Sequence, residues 1–243
     1  MIRIVVTSEQ IAPDNRIVLT AEQSHYLVHV MRVRPGEKIE ALVSGQAIFE
    51  CAMTQDSQVL ECFSAREVSE DVSLYLAQSM IKKDLFSDII EKGTEAGIAG
   101  FYPLLTERTI VREISPSKWN RWHKVAKEAT EQAHRSRVPE IFPLTTLAEM
   151  RDLNVAHKLV LDVQGKNLWD WLMEHSMSPL SACLLVVGPE GGLTPQERDG
   201  LINNGFDAVS LGPYVYRAEN AGVFAAALLR AWMSSHYFAQ GQT

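Results

Sequence analysis

The residues of greatest chemical interest form a glycine-rich turn, GPEGG, at residues 188–192. The turn follows an apolar run and precedes a helix start, where Thr194, Pro195 and Glu197 form a capping box with proline at the first helical position. Open α/β sheets bind ligands where a buried strand ends in such a turn. A tight strand-to-helix connection without a ligand has the same pattern, so the turn alone leaves both readings open.

Two further segments of this kind follow predicted strands, at residues 162–167 (DVQGKN) and 212–219 (GPYVYRAE). Parallel strands end at one edge of a sheet, so the three loops would line one crevice. Neither the GxGxxG fingerprint of dinucleotide folds nor the GxxxxGK[ST] phosphate loop is present. Glu190, at the centre of the richest loop, would repel phosphate. The loops therefore favour a neutral or cationic ligand with amine and hydroxyl groups, and S-adenosylmethionine fits that description.

The elements that would position these loops fall into two parts, with a polar linker predicted at residues 66–71. The first part predicts short strands and one helix, arranged as a small, mainly antiparallel sheet or barrel. In the second part strands alternate with helices, beginning with a strand at residues 72–79 and a helix at 83–96, which indicates a largely parallel sheet. A last helix is predicted at residues 221–236, with Phe224, Leu228 and Trp232 in the core.

Composition predicts a globular cytoplasmic protein. Of 243 residues, 46% are hydrophobic and 22% are charged, and no apolar run approaches membrane-spanning length. The chain begins directly with a strand-like pattern and shows no secretory signal. Cys51, Cys62 and Cys183 lie among apolar neighbours without metal-binding spacing, so they are predicted to be reduced core residues. Neither a membrane nor a metal is an expected partner.

Positive charge is concentrated in one segment. Residues 108–137 carry a net charge of +5, which leaves −12 for the rest of a chain whose net charge is −7. A basic segment on an acidic molecule suits local contact with a polyanion, although a solvated helix face has the same composition. A second basic group, with the same two readings, surrounds the first predicted helix and the turn after it: His25, His29, Arg32, Arg34 and Lys38.

These motifs resemble those of a known family. GPEGGLTPQE followed by LGPYVYRAENA is similar to the GPEGG-x3-E and LGxRxLRxETA motifs of the RsmE family, the SPOUT-class methyltransferases of uridine N3 in 16S ribosomal RNA. The resemblance continues through EKGTEAGIAGFYPLLTER, EQAHRSRVPEI and HVMRVRPGE, in the right order and over nearly the whole chain.

The resemblance implies an α/β protein with two domains. Residues 1–70 would form a PUA-like RNA-binding β-barrel, and residues 71–243 a SPOUT methyltransferase domain with a parallel sheet and a trefoil knot. It also implies a homodimer that acts on the 16S rRNA of the small ribosomal subunit, with S-adenosylmethionine as cofactor.

The resemblance also suggests roles for single residues. The cofactor-binding residues are expected in or beside the three loops: Leu161, Val187, Gly188, Pro189, Glu190, Gly191, Gly192, Leu211, Gly212, Tyr216, Arg217, Ala218 and Ala221. The expected RNA contacts are His29, Arg32, Arg34, Arg108, Arg135 and Arg137. Arg217 is the expected catalytic residue, because its guanidinium would stabilise the anionic imide of uracil or hold a phosphate. An ion pair with Glu219 or Glu190 is the structural alternative. His134, Glu219 and solvent are the candidate bases.

Four positions depart from the family pattern. Tyr214 stands where arginine is usual, Ala218 and Asn220 where threonines are common, and Leu85 in place of a frequent lysine. These departures leave the cofactor loops intact but keep two alternatives open. In the first alternative, the chain methylates another ribosomal or transfer RNA position. In the second, it binds RNA without catalysis through a decayed SPOUT domain.

Overall fold

The computed structural model describes residues 1–68, 73–82, 85–175 and 182–240, with side chains as far as residue 234 in the last helix. The chain divides into two compact units. The first comprises Met1–Asp71 and Thr130–Val138, and the second comprises Val72–Ala129 and Pro139–Thr243. The end of the predicted linker and the predicted starts at residues 72 and 83 lie outside the described residues.

A six-stranded sheet with the order β1-β4-β5-β6-β3-β2 forms the first unit. Neighbouring strands are antiparallel except for the parallel pair β1–β4, as the mainly antiparallel prediction requires. A helix, α1 (Ala21–His25), begins at the Thr20 capping box and continues as a π-helical turn, Tyr26–Val30. The strands are β1 (Ile2–Val6), β2 (Ile11–Ala12), β3 (Arg16–Val18), β4 (Lys38–Val43), β5 (Ala47–Met53) and β6 (Val59–Glu67).

A buried ion pair holds residues 130–138 in the first unit. The Arg3 guanidinium donates to Glu40 Oε2 at 2.7 Å and to the carbonyl oxygen of Arg135 at 2.9 Å. Glu131 Oε1 accepts a hydrogen bond from the Val5 amide at 2.8 Å. His134 Nδ1 lies 3.5 Å from Glu40 Oε2. Because Arg3 and Glu40 are 4% and 14% exposed, loss of either would leave a poorly solvated charge.

Glu40→Gln should destabilise the protein at neutral pH by about 2 kcal/mol. Partial burial alone raises the pKa of Glu40, but the hydrogen bond and charge of Arg3, with Arg66 and His134, lower it below its ordinary value. This stabilisation is therefore complete above the unfolded-state pKa of about 4.3 and is lost as the pH falls through the folded-state pKa. Urea unfolding at neutral and acidic pH would measure the difference between variant and wild type.

An exposed carboxylate of the same sheet, Glu61, provides the control. Glu61→Gln should change the unfolding free energy by no more than about 0.5 kcal/mol. A difference between Glu40→Gln and wild type that stays constant down to pH 3 would contradict the role given to the Glu40 carboxylate.

The second unit contains a parallel sheet with the order β10-β8-β7-β12-β11-β13, and β9 pairs with β8. Every strand pair is parallel, so the predicted parallel sheet is confirmed. The strands are β7 (Ser73–Ser79), β8 (Gly100–Leu105), β9 (Glu140–Ile141), β10 (Thr145–Thr146), β11 (His157–Asn167), β12 (Ala182–Val187) and β13 (Asp207–Ser210). The helices are α2 (Phe86–Glu95), α3 (Pro116–Gln132), α4 (Leu147–Asp152), α5 (Leu168–Glu174), α6 (Pro195–Ile202) and α7 (Ala218–Gln240). The last residues of α3 belong to the first unit.

Two predictions for the second unit are corrected. Residues 162–167 form no free loop but belong to β11, whose register shifts so that Leu161 and Lys166 both pair with Val209. In α7, Phe224 and Leu228 were predicted in the core but are 45% and 43% exposed. Trp232 is buried as predicted, and the rest of the inward face consists of Val223, Ala225, Ala226, Leu229 and Met233. Within the described ranges, no helix is long and apolar enough to cross a membrane.

Candidate functional site

The three predicted ligand segments meet at one cavity of about 630 Å³ in the second unit. This volume is typical of sites for small molecules. Every expected cofactor-binding residue except Gly191 lines it. Lys82 and Leu85 also line it, although the sequence reasoning gave neither a binding role. Both residues follow β7, which is the parallel neighbour of β12, so the carboxyl end of β7 lies at the same edge of the sheet as the GPEGG turn. The order of the strands is the signal that could have identified them.

Glycines allow the turn at residues 188–192 to fold back on itself. The Gly192 amide donates to the Pro189 carbonyl at 2.8 Å, and Gly192 has a φ of +68°, a conformation that favours glycine. A Cβ atom on Gly188 would lie 2.9 Å from the Leu193 backbone nitrogen. Only glycine at position 188 leaves room for this close approach.

Hydrogen bonds accepted by Glu190 of the turn and Glu197 of α6 connect the turn to the segments that follow β7 and β8. Glu190 Oε1 accepts a hydrogen bond from the Lys82 amide at 3.0 Å, just beyond β7. Glu197 accepts from the Thr194 amide at 2.9 Å and, through its other oxygen, from the Glu107 amide at 2.7 Å. The predicted capping box is confirmed, and its carboxylate also holds the segment after β8.

Arg108 extends from that segment to the turn. Its Nη1 atom donates to the Gly191 carbonyl at 2.6 Å and lies 3.5 Å from the Leu193 carbonyl. Its aliphatic stem packs beside Gly191, where a Cβ atom would lie 3.5 Å from Arg108 Cδ. An arginine expected from sequence to contact RNA therefore binds two carbonyls of the turn.

The arch at residues 162–165 packs directly on β13. A Cβ atom on Gly165 would lie 2.5 Å from the Val209 nitrogen and 2.6 Å from the Ala208 carbonyl carbon. The Gln164 amide donates to Asp162 Oδ1 at 2.7 Å, and Arg198 of α6 forms an ion pair with the same carboxylate. These contacts place Asp162 at the cavity wall.

The third loop gives the cavity an exposed rim with one cation. Arg217 is 84% exposed, and its Nη1 atom lies 4.0 Å from Glu219 Oε1, a long separation for an ion pair. Tyr214 is 77% exposed, and the Tyr216 ring contacts Phe224 edge-on at 5.2 Å. The guanidinium is therefore weakly paired and accessible from solvent.

Most of the expected RNA contacts belong to the first unit. His29, Arg32, Arg34 and Arg137 are exposed, and Arg135 is half-buried. The ring of His29 contacts that of His25 at 4.7 Å, and Arg32 has a φ of +58°. His134, a candidate base, lies in this unit beside Glu40. Among the described residues, no group of three or more His, Cys, Asp or Glu side chains could hold a metal ion.

Two family models match the chain. The RNA methyltransferase domain matches residues 68–230, and the RNA methyltransferase PUA domain matches residues 19–57. The second match supports the predicted PUA-like fold of the first unit.

Relatives and solved structures agree with these models. The chain is 30% identical to ribosomal RNA small subunit methyltransferase E of Bacillus subtilis, over 91% of this chain and 92% of that protein. It is 32% identical to the protein of the same name from Synechocystis, over 96% and 78%. A Legionella pneumophila methyltransferase with bound cofactor SAM superposes with a TM-score of 0.82 at 27% identity, over 95% and 97%. The Neisseria gonorrhoeae methyltransferase E bound to S-adenosyl methionine gives 0.82 at 25% identity, over 95% and 97%.

Proposed function

Because the chain belongs to the RNA methyltransferase family, we propose that it methylates N3 of a uridine in the 16S rRNA of the small ribosomal subunit, with S-adenosylmethionine as donor. The broader activity, donor-dependent methylation of ribosomal RNA, follows from the family and from its donor-bound relatives. The cavity where the three loops meet is the observation in this chain that supports it.

The residues around the cavity fit S-adenosylmethionine. Its glycine-rich wall offers backbone groups for the adenine and ribose, and Gly188 and Gly192 allow a close approach. The GPEGG turn contains no lysine or arginine, which would repel a sulfonium. Glu190 and Glu219 supply negative charge to the cavity. When bound, the donor supplies an electrophilic methyl group on sulfur. The expected cofactor-binding residues, including Gly191 beside the wall, hold it.

Arg217 is the catalytic residue of this proposal. Uracil N3 carries a weakly acidic proton, and loss of that proton spreads negative charge onto O2 and O4. A guanidinium directed at either oxygen stabilises the anion and orients the base. N3 of a paired uridine is hidden, so the base enters the cavity unpaired or flipped from its stack. The exposed position of Arg217 on the rim is compatible with a contact to such a base.

The domain roles follow the same proposal. Residues 1–70 form the PUA-like RNA-binding domain, whose compact unit also includes Thr130–Val138, and the rest of residues 71–243 form the methyltransferase domain. His29, Arg32, Arg34, Arg135 and Arg137 contact the RNA backbone, for which their charge and position in the first unit are suited.

Titration calorimetry and product mapping test the activity. The protein should bind S-adenosylmethionine and its demethylated product. With labelled donor it should methylate small ribosomal subunits from a strain that lacks this activity. Mass spectrometry of the labelled RNA should then show one N3-methyluridine. If the protein binds neither S-adenosylmethionine nor its demethylated product, the proposal is contradicted.

The same experiment separates the two alternatives. Label at another nucleotide would show a different target for the same chemistry. RNA binding that is independent of the donor, with no transfer to any RNA, would show a noncatalytic protein. The contacts that order the GPEGG turn support the catalytic reading over this one.

Arg108 acts in this proposal by positioning the cofactor turn. Arg108→Ala should weaken S-adenosylmethionine binding about tenfold, because a charge-assisted hydrogen bond to the Gly191 carbonyl is lost. Arg108→Lys, which keeps one donor, should restore part of the affinity. Calorimetry with the donor and hydrogen exchange of residues 188–193 would measure both effects.

Lys124→Ala is the matched control, since it removes an exposed positive charge from the same basic segment. It should leave the donor affinity unchanged. If Arg108→Ala weakens RNA binding more than Lys124→Ala does, and leaves the donor affinity intact, Arg108 is an RNA contact as the sequence suggested.

The protein acts as a homodimer in this proposal. Phe224 and Leu228 lie one turn apart on α7 and form an exposed apolar face, with Tyr216 against Phe224. Such a face is typical of a helix that packs against another chain. Light scattering should give the mass of two chains, and Leu228→Asp should shift it toward one.

A trefoil knot completes the proposed fold. After the edge strand β13, the chain returns beside the arch of β11, and α7 packs on the central strands β7 and β12. In this proposal the last segment threads through a preceding loop. Stretching the unfolded chain by its termini should stop short of the full contour length, because a knot tightens. Extension to the full length would contradict the knot.

A further inference from the structure

Two of the three cysteines face each other across the first-unit sheet. Cys51 of β5 pairs with Cys62 of β6, and their Sγ atoms are 2.6 Å apart. A disulfide bond of about 2.05 Å would require about 0.6 Å of further approach. Both side chains lie at the same apolar cluster, where Cys51 is fully buried and Cys62 is half-buried.

A change in strand register creates this pair. Glu50 is opposite Ser64, whereas Cys51 is opposite Cys62, so Phe63 is an extra residue between them. Without this bulge Cys51 would face Phe63, and the two thiols would lie on opposite faces of the sheet. The Cys62 amide bonds to the Asn15 carbonyl on its other side, which marks Cys51–Cys62 as a non-hydrogen-bonded pair. In such pairs the Cα atoms are about 4.5 Å apart, within the range that a disulfide spans.

We propose that Cys51 and Cys62 form a reversible intramolecular disulfide when a small-molecule disulfide is the oxidant. The thiolate of Cys62, the more accessible residue, attacks one sulfur of the oxidant, forms a mixed disulfide and breaks the oxidant's S–S bond to release one thiol. The Cys51 sulfur then attacks the Cys62 sulfur and releases the second thiol. Two electrons pass from the cysteines to the oxidant, and the two protein protons are recovered on the two released thiols.

Burial of the two thiols determines the rate of disulfide formation. It raises the pKa of both thiols, and for Cys51 the hydrogen bond with Cys62 raises it further. Thiolate is therefore scarce at neutral pH, and the rate should increase as the pH is raised toward 9. Cys183 also has a pKa raised by burial, to about 12, and lies in the other unit, so it serves as an internal reference.

Oxidised glutathione at pH 7 and pH 9, followed by intact-mass and peptide mass spectrometry, tests the proposal. The wild type should lose about 2 Da, carry no glutathione, and yield a Cys51–Cys62 linked peptide that dithiothreitol cleaves. Cys51→Ser should stop at one glutathione on Cys62. Cys62→Ser should remain unmodified, and Cys183→Ser should behave like the wild type.

Three outcomes would overturn the proposal. They are retention of both thiols at pH 9, a stable glutathione adduct on the wild type, or a disulfide that includes Cys183. The wild-type measurement stands even if a serine variant fails to fold, and Cys51→Ala provides a second, apolar replacement. Donor binding by the second unit does not enter the readout, so the result is independent of the proposed activity.

Discussion

Arg217→Ala should lower the kcat of methyl transfer by about 100-fold while the Kd for S-adenosylmethionine changes by less than about threefold. The reason is that the guanidinium, 84% exposed and 4.0 Å from Glu219, lies at the open rim of the cavity. Its proposed partner is the negative charge that develops on uracil during the reaction. Single-turnover transfer to small ribosomal subunits, with calorimetry of the donor, would measure the two quantities separately.

Arg217→Lys distinguishes charge from geometry. Lysine retains the positive charge but lacks the planar fork, so we expect an intermediate loss of kcat. Equal losses of donor affinity and turnover in Arg217→Ala would contradict the catalytic role and favour the ion pair with Glu219. A loss confined to the KM for the ribosomal subunit would indicate that Arg217 holds a phosphate.

Local signals made much of the fold predictable from sequence. The capping box at Thr194 and Glu197 marked the start of α6, because both partners lie within three residues. The alternation of strands and helices after residue 72 indicated the parallel sheet, and glycine-rich segments after its strands indicated the cavity. Each of these signals is a short local pattern, and the parallel sheet follows from the order of such patterns along the chain.

The remaining features depend on contacts between distant residues. Arg3, paired with Glu40, bonds to the Arg135 carbonyl 132 positions away, and no periodic pattern encodes such a contact. The inward face of α7 was misjudged because alanines near Leu229 pack on the sheet, whereas the larger Phe224 and Leu228 stay exposed. The contact of Arg108 with the Gly191 carbonyl is not predictable from sequence, because the charge of Arg108 is evident there and its partner carbonyl is not.

Gly165→Ala should destabilise the protein by about 3 kcal/mol and weaken S-adenosylmethionine binding at least tenfold. The added methyl group would lie within 2.7 Å of three backbone atoms of Ala208 and Val209. Backbone atoms of a paired strand cannot move aside without loss of the β11–β13 ladder. Urea unfolding and calorimetry of the donor would measure the two effects.

Gly191→Ala is the matched control for stability, because its methyl group would meet only the Arg108 side chain at 3.5 Å. It should change the unfolding free energy by no more than about 0.5 kcal/mol. The arch that contains Gly165 supplies Asp162 and Val163 to the cavity wall, and β13, on which it packs, supplies Val209. If Gly165→Ala is destabilised but binds the donor normally, the donor site does not depend on the packing of the arch at residues 162–165 against β13. Loss of both together would show that close backbone packing at one glycine shapes the donor site.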